Sequence, residues 1–371
     1  MTQNLWMNIL LSIGFLAALG TVLSVLLILA EKKILNYGEC LIDINDGKKT
    51  IPVQGGSSLL SSLSENEIFI PSACGGRGSC AYCKVQVKEG GGMIGPVETP
   101  SLSGDEIKNN IRLSCQVKVR SDIFISIPDE IFSVKHFTGK VVHKKPLTHD
   151  IIELKIALTK PENIDFTAGQ YLQIETREYK GREQVSRAYS LSSVPSDTRS
   201  VELIIRKVPE GISTTWVFDH LKEGDPVNFS GPYGDFRLSD TDSPVVFIAG
   251  GSGMAPIWSM LRDMKEKGIT RTAYYFFGAL SQRDLFFLDE LRSLEGELDW
   301  FTFIPALSHE PENSGWEGER GLITDVVRRR LPDLNGFEAY LCGSPGMIDA
   351  CIKVLTESGI PEENIFYDKF A

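Results

Sequence analysis

Histidine is scarce in this chain: five in 371 residues, none spaced as a metal ligand set or a catalytic triad. His136, His143 and His149 are scattered through strand-like and loop-like sequence and read as surface or partly buried side chains. A basic excess is missing as well. The 38 Lys and Arg are outnumbered by 49 Asp and Glu, leaving a formal net charge of −11. Phosphate backbones are held by clustered positive charge, so nucleic acid is excluded as a partner. There is no internal repeat and no low-complexity tract. Cysteine is limited to seven, an odd number that rules out complete internal pairing in disulfides.

What is present begins with one long uncharged run. Residues 6–30, WMNILLSIGFLAALGTVLSVLLILA, carry no charge. Such a run crosses a hydrocarbon core of about 30 Å with some tilt. No basic residue precedes it, which argues against a signal peptide. Lys32 and Lys33 follow it, and the positive-inside rule places them and everything after them in the cytoplasm. Cytoplasm is reducing, a further argument against a disulfide framework.

Three of the cysteines fall in CGGRGSCAYC, residues 74–83. With one remote partner they form the set Cys74-x5-Cys80-x2-Cys83-x31-Cys115. Plant-type ferredoxins hold a 2Fe–2S cluster with C-x4-C-x2-C and a distant fourth cysteine, and this loop is one residue longer. Gly75, Gly76 and Gly78 let the backbone wrap close and aim N–H groups at sulfur. The main rival is a zinc ribbon. It pairs two C-x2-C knuckles, and the second is absent. Cys40, Cys342 and Cys351 lie outside the pattern.

The remaining sequence divides by its periodicity. After an anchor over 1–33, residues 34–130 read as short strands with little helix. ECLIDINDGKKTIPV predicts a hairpin around Asp46-Gly47, and SLLSSLSENE predicts a short helix. CKVQVKEG and LSCQVKV alternate as strands. Residues 131–240 read as an all-β barrel, with strands in TGKVVHKK, DIIELKIAL, QYLQIET, RAYSLSS and VELIIRKV. From 241 to 371 apolar strands alternate with helical segments, the pattern of a parallel α/β sheet. Its first strand runs into GGSGMAP, where glycines let a pyrophosphate approach the N–H groups of a helix start. Taken alone that turn carries little weight. The chain is thus multidomain: a transmembrane helix, an α+β ferredoxin-like domain of β-grasp type, an all-β barrel and an α/β domain with a parallel sheet.

At Arg187-Ala188-Tyr189-Ser190 the sequence resembles the R-x-Y-S flavin motif of the ferredoxin–NADP reductase superfamily. Gly231-Pro232-Tyr233-Gly234 is similar to its second flavin signature, and GGSGMAP and Cys342-Gly343-Ser344-Pro345 resemble its two nicotinamide motifs. With the anchor and the cysteine spacing, the whole chain resembles the NADH-oxidising F subunits of sodium-translocating NADH:quinone oxidoreductases. Its flavin-barrel connections are short for that family.

The resemblance implies FAD, a 2Fe–2S cluster ligated by Cys74, Cys80, Cys83 and Cys115, and NADH as substrate. It implies that Arg187 pairs with the FAD pyrophosphate, Tyr189 packs on the flavin, and Ser190 hydrogen-bonds the hydride-accepting nitrogen. Gly211 and Thr214 would contact FAD phosphate, and Gly231, Tyr233 and Gly234 would line the flavin site. Gly250, Gly251, Gly253, Met254, Gly343 and Pro345 would hold the nicotinamide nucleotide. Cys342 would stand at the nicotinamide with Ser190 as the catalytic pair, and Phe370 would cover the flavin. Near the second nucleotide strand, Ser281 and Arg283 suit a 2′-phosphate and Asp284 opposes it, and the resemblance favours NADH as the donor. The implied setting is the cytoplasmic membrane of a bacterium, in a single pass. The soluble domains would lie on the cytoplasmic side, beside integral-membrane partner subunits of a quinone-reducing complex. Two other readings stay open. One is the tethered reductase component of an oxygenase or desaturase. The other is a redox-sensing subunit that binds flavin without turnover.

Overall fold

The computed structural model describes residues 14–24, 37–72, 74 and 76–370. Contacts divide the chain into two compact units, Met1–Ile70 with Gly76–Phe132, and Pro71–Gly75 with Ser133–Ala371. Part of the uncharged run at 6–30 lies outside the described residues. Over 14–24 it is helical (α1), with Phe15, Leu16, Leu19, Val22 and Leu23 all more than half exposed. Among the described residues, no helix is long and apolar enough to cross a membrane.

The first unit is built on a five-stranded sheet. β1 (Glu39–Ile44) and β2 (Lys49–Gln54) form the hairpin at Asp46-Gly47, with Asn45 and Asp46 at φ of 54° and 56°. α2 (Leu59–Glu65) follows, its start capped by Ser58, whose hydroxyl accepts from the Ser61 N–H. β3 (Lys84–Glu89) leads to α3 (Gly104–Lys108), opened by a reciprocal Ser103–Glu106 capping box. β4 (Ile111–Leu113) and β5 (Ile123–Ser126) complete the sheet, in the order β2-β1-β5-β3-β4. Ile42, Ile44, Leu59, Leu63, Leu113 and Ile123 fill its core. LSCQVKV, expected as a strand, is not one. The chain leaves β4 at Leu113 and turns, and Gln116 N–H donates to the Leu113 carbonyl. The turn sets Cys115 beside the start of β3, which a continuing strand would carry it past.

The second unit contains two sheets. The first joins β6 (Lys135–Pro146), β7 (Ile151–Lys160), β8 (Tyr171–Glu175), β9 (Ser186–Ser190), β10 (Ser200–Arg206) and β11 (Pro226–Tyr233). All its pairings are antiparallel, in the order β10-β7-β6-β11-β8-β9. A bridge from Leu191 to Leu203 brings its two edges together, as barrel closure requires. Alternation along β7 sends Ile152, Leu154 and Ile156 inward and leaves Glu153 and Lys155 facing out. Between β10 and β11 a single helical turn, α4 (Ile212–Thr215), begins at Gly211.

The second sheet is parallel: β12 (Val245–Gly250), β13 (Ala273–Ala279), β14 (Phe301–Leu307), β15 (Glu319–Arg320), β16 (Glu338–Gly343) and β17 (Ile365–Lys369). α5 (Met254–Lys267), α6 (Leu288–Glu297), α7 (Ile323–Arg330) and α8 (Pro345–Glu357) cover its faces. Strands buried on both sides read as continuous apolar runs. Along β12, Val245, Phe247 and Ala249 join the core on one face, and Val246 and Ile248 join the core on the other. The order is β15-β14-β13-β12-β16-β17. The chain winds outward from β12 and then reverses to β16. In open α/β sheets ligands bind at the carboxyl ends of the strands flanking such a reversal.

One buried ion pair ties the segment between the barrel and β12 to the parallel sheet. Arg271 and Glu338 are 6% and 4% exposed and meet at 2.7 Å. Glu338 also accepts from Ser239 Oγ, Thr241 Oγ1 and Tyr340 Oη, and Arg271 donates to the Ser239 and Ser243 carbonyls. Burial would raise the Glu338 pKa, but these donors hold it below the usual range. Removing one partner strands the other. Glu338→Leu should therefore cost about 3–5 kcal/mol of stability, seen as a lower urea midpoint. Glu338→Leu combined with Arg271→Met should recover most of the loss.

Candidate functional site

β9 carries Arg187, Tyr189 and Ser190 along the edge of the barrel sheet beside β8. Tyr189 donates its hydroxyl to Ser213 Oγ at 2.8 Å. Burial pushes the Tyr189 phenol up to about 12, against the Ser213 bond and the Arg187 charge, so it stays protonated. Gly211 opens α4 without any side-chain cap. The first-turn N–H groups are thus available to an anion, with Arg187 on the adjoining strand. The Thr214 hydroxyl, expected at the FAD phosphate, is bonded to Val208. It accepts from the Val208 N–H at 3.1 Å and donates to the Val208 carbonyl at 3.2 Å, closing the turn from inside. Tyr233 likewise is part of the wall. It is buried, stacked on Tyr171 at 5.5 Å and bonded to Ser230 Oγ, with Gly231 and Gly234 shaping the bend around it.

At the reversal of the parallel sheet, Gly250, Gly251 and Gly253 make the turn from β12 into α5, and Met254 begins the helix fully buried. On the barrel, a cavity of about 560 Å³ is lined by Asp150, Arg206, Lys207, Val208 and Pro209. Gly211 N–H donates to the carbonyl of Val208, and a Cβ at Gly251 would come within 3.7 Å of Arg206. Across the reversal β16 ends in Cys342 and Gly343. Ser344 then caps α8 with no side-chain bond, and Pro345 stands in its first turn.

β17 brings two further groups to this point. The Phe370 N–H donates to the Gly343 carbonyl at 2.9 Å, which fixes the C-terminal aromatic at the end of β16. Asp368 pairs in register with Cys342, and Ser190 Oγ donates to its carboxylate at 3.4 Å. Burial, with some help from Asp235, pushes the Asp368 carboxyl up against that one bond. Burial and then the Asp368 charge push the Cys342 thiol well up, so Cys342 is a neutral thiol rather than a thiolate. The motifs of Ser190 and Cys342 point to both residues, and the structure unites them through Asp368, to which no motif points. The sequence signal for Asp368 is one acid, next to Lys369, at the end of the apolar and aromatic run IFY.

In the first unit, Cys83 and Cys115 hydrogen-bond to each other. Cys115 is pulled down to about 6, first by Cys83 and then, against burial, by Gln116 and the Gly78 backbone. Cys83 is pushed up by the same contact and by burial. One sulfur of the pair is therefore poised as the thiolate that iron requires. Cys80 is half-buried and Cys74 is buried. Among the described residues, no three His, Cys, Asp or Glu side chains are gathered closely enough to hold a metal ion. Of the four expected ligands, Cys83 and Cys115 are joined by a hydrogen bond. Soft sulfur donors in a glycine-rich loop suit an iron–sulfur cluster. The uncapped start at Gly211 with Arg187 suits a pyrophosphate, and the reversal between β12 and β16 suits a dinucleotide.

Comparison with known proteins agrees with this division. Residues 42–120 match the 2Fe-2S iron-sulfur cluster binding domain family. Residues 138–238 match the oxidoreductase FAD-binding domain, and residues 247–353 the oxidoreductase NAD-binding domain. Among solved structures, the Amycolatopsis cytochrome P450 reductase GcoB is similar with a TM-score of 0.73 and 27% identity. The match covers 89% of this chain and 98% of that one. The ferredoxin reductase of carbazole 1,9a-dioxygenase gives 0.69 and 27%, over 90% and 99%. The F subunit of the Na(+)-translocating NADH-quinone reductase of Mannheimia succiniciproducens is 36% identical over 98% of this chain and 99% of its own length. The corresponding protein of Neisseria meningitidis serogroup B is 35% identical over 98% and 100%. At that identity over its full length, the chain belongs to the family of F subunits of the Na(+)-translocating NADH-quinone reductases, oxidoreductases with 2Fe–2S, FAD- and NAD-binding domains.

Proposed function

We propose that this chain is the NADH-oxidising subunit of a bacterial, membrane-bound quinone reductase. It takes a hydride from NADH onto FAD and passes single electrons through a 2Fe–2S cluster. Integral-membrane partner subunits then reduce quinone and pump sodium. The observation that carries the reading is the meeting of Ser190, Cys342 and Asp368 at the reversal of a parallel sheet. When bound, nicotinamide supplies a hydride, flavin converts two electrons to one, and the cluster carries one at a time.

The chain's own groups bind and orient. Arg187 and the first-turn N–H groups after Gly211 would hold the FAD pyrophosphate. Tyr189 would pack on the flavin, and Phe370 would cover it until nicotinamide arrives. Ser190 would present its hydroxyl to the hydride-accepting edge, held in place by Asp368. Gly250, Gly251, Gly253, Met254, Gly343 and Pro345 would hold the nicotinamide nucleotide, with Cys342 as a small neutral thiol beside it. Cys74, Cys80, Cys83 and Cys115 would ligate the cluster.

The uncharged run at 6–30 is read as a single membrane pass, with the soluble units on the cytoplasmic side. In support, α1 exposes apolar side chains such as Phe15, Leu19 and Val22, which lipid or partner helices would cover. One uncharged helix makes no ion path, so sodium movement falls to partners. The likeness to P450 and dioxygenase reductases favours a second reading, a tethered reductase for an oxygenase. Identifying the proteins that copurify from membranes separates the two.

Four outcomes test the proposal. Replacing Cys80 by Ala should destroy the cluster but leave NADH-driven flavin bleaching intact in a single turnover, while quinone reduction falls to near zero. Quinone reduction that persists without iron would mean the flavin delivers electrons directly.

A chain beginning at Ile34 should stay in solution with both cofactors bound and oxidise NADH with ferricyanide, yet lose coupling to membrane quinone. A need for detergent would sink the anchor reading.

Asp368→Asn should act oppositely on rate and stability. A carboxyl raised by burial binds more protons folded than unfolded above its ordinary pKa, about 3.9. Its stability contribution therefore falls as pH rises through the raised value. The Asn variant should melt higher than wild type at neutral pH, with the gain fading in acid, while stopped-flow hydride transfer slows. Cys342→Ala should also slow that step with FAD retained, and Cys351→Ala should not.

A further inference from the structure

Gln116 follows the fourth cysteine and stands between two parts of the cluster loop. Its amide Nε2 lies 3.1 Å from the Gly76 carbonyl oxygen and 3.4 Å from Cys115 Sγ. A primary amide has two N–H donors, and these two acceptors engage both. The opposite orientation would set the amide oxygen against a carbonyl oxygen and a sulfur, neither of which donates. The N–H side is therefore the one that faces the loop.

The loop is built to admit this amide. Gly78 has φ of +80°, and a Cβ there would sit 3.0 Å from Gln116 Nε2 and 2.7 Å from Val97 Cγ1. The missing side chain is the space the amide occupies. The same residue is held from the other side, where Ser101 Oγ donates to the Gly78 carbonyl at 3.4 Å. The Gln116 backbone is fixed as well, its N–H donating to the Leu113 carbonyl at the end of β4. A side chain pinned at its root and at one N–H has little freedom to turn the other N–H away from sulfur.

We infer that Gln116 is a positioning and tuning residue for the cluster. Its amide ties the Gly76–Gly78 loop to Cys115 and gives that sulfur one N–H···S hydrogen bond, which raises the reduction potential. The inference rests on the cluster reading above. Reducing a cluster adds negative charge that spreads onto its sulfur ligands. A donor aimed at one of them favours the reduced state, and removing the donor favours the oxidised state.

The test uses the full-length holoprotein. Gln116→Met keeps the side-chain length and deletes both donors. Gln116→Leu keeps most of the side-chain bulk, adds no charge and also lacks donors. Iron content is measured alongside a dye-mediated potentiometric titration read by the low-temperature paramagnetic signal. The Met variant should keep the wild-type iron content. At the wild-type midpoint its reduced-to-oxidised ratio should fall by about tenfold, roughly 59 mV for a one-electron couple. Flavin bleaching by NADH should keep its rate. Full iron with an unchanged midpoint overturns the inference. If the Met variant loses iron, the Leu variant decides: retained iron with a lowered midpoint supports tuning, and retained iron with an unchanged midpoint overturns it. Iron loss in both would make Gln116 a loop strut only and overturn tuning. A wild-type chain without iron would instead overturn the cluster reading, and this inference with it.

Discussion

Gly253 has no room for a side chain. A Cβ there would lie 2.3 Å from the Cys342 carbonyl oxygen and 2.6 Å from its carbon. Two backbones, the turn after β12 and the end of β16, thus touch with nothing between them. That contact closes the root of the crevice at the sheet reversal. It starts α5 at the crevice floor, with Met254 buried beneath. It also fixes the end of β16, so that β17, in register beside it, delivers Asp368 opposite Cys342 and Phe370 against Gly343. The third glycine of such turns serves strand-to-helix packing more than the ligand itself. The site's geometry follows from this one close approach.

Charge burial separates support from chemistry. Glu98 and Arg112, 1% and 7% exposed, are fully answered in the first unit. Glu98 accepts from Arg112, from the Gly95 N–H and from the Leu113 N–H. Arg112 spends its remaining donors on the Gly91, Gly92 and Met93 carbonyls. The Arg271–Glu338 pair is answered in the same way. In both acids the donors overcome burial and the pKa falls. Among the described residues, Asp368 has only the Ser190 hydroxyl against burial and a neighbouring acid, and its pKa rises. A carboxyl left short of donors beside a motif serine marks where the fold gives up stability for function.

Most of the architecture was legible because its signals are local. The Asp46-Gly47 turn, the two-faced apolar strands and the glycine turn before α5 each declare themselves within a few residues. The misses were all non-local or conformational. LSCQVKV has strand alternation, but pairing needs a neighbour, and here Ser58 bridges only Lys118. Thr214 sits in the right motif, yet only the fold shows its hydroxyl already used by Val208. Asp368 and Ser190 are separated by 178 residues, and no period or spacing links them. For the cysteines, spacing indicated ligands, while which sulfurs meet depended on the turn at Ser114–Gln116.

Each unit has its own apolar core. Ile42, Leu59 and Leu113 belong to one, and Leu154, Phe247 and Tyr340 to those of the other. The hydride step draws on strand ends locked by two sheets of the second unit, where small displacements are resisted by packing on both faces. The electron-carrying loop of the first unit has few strands near it. It is held by side chain to backbone bonds from Gln116 and Ser101. Hydride transfer needs reacting atoms placed to a fraction of an ångström, which a doubly packed sheet provides. A cluster needs its sulfurs gathered and their charge tuned, which hydrogen bonds to a pliant glycine loop provide. The two redox steps are thus met by two kinds of rigidity.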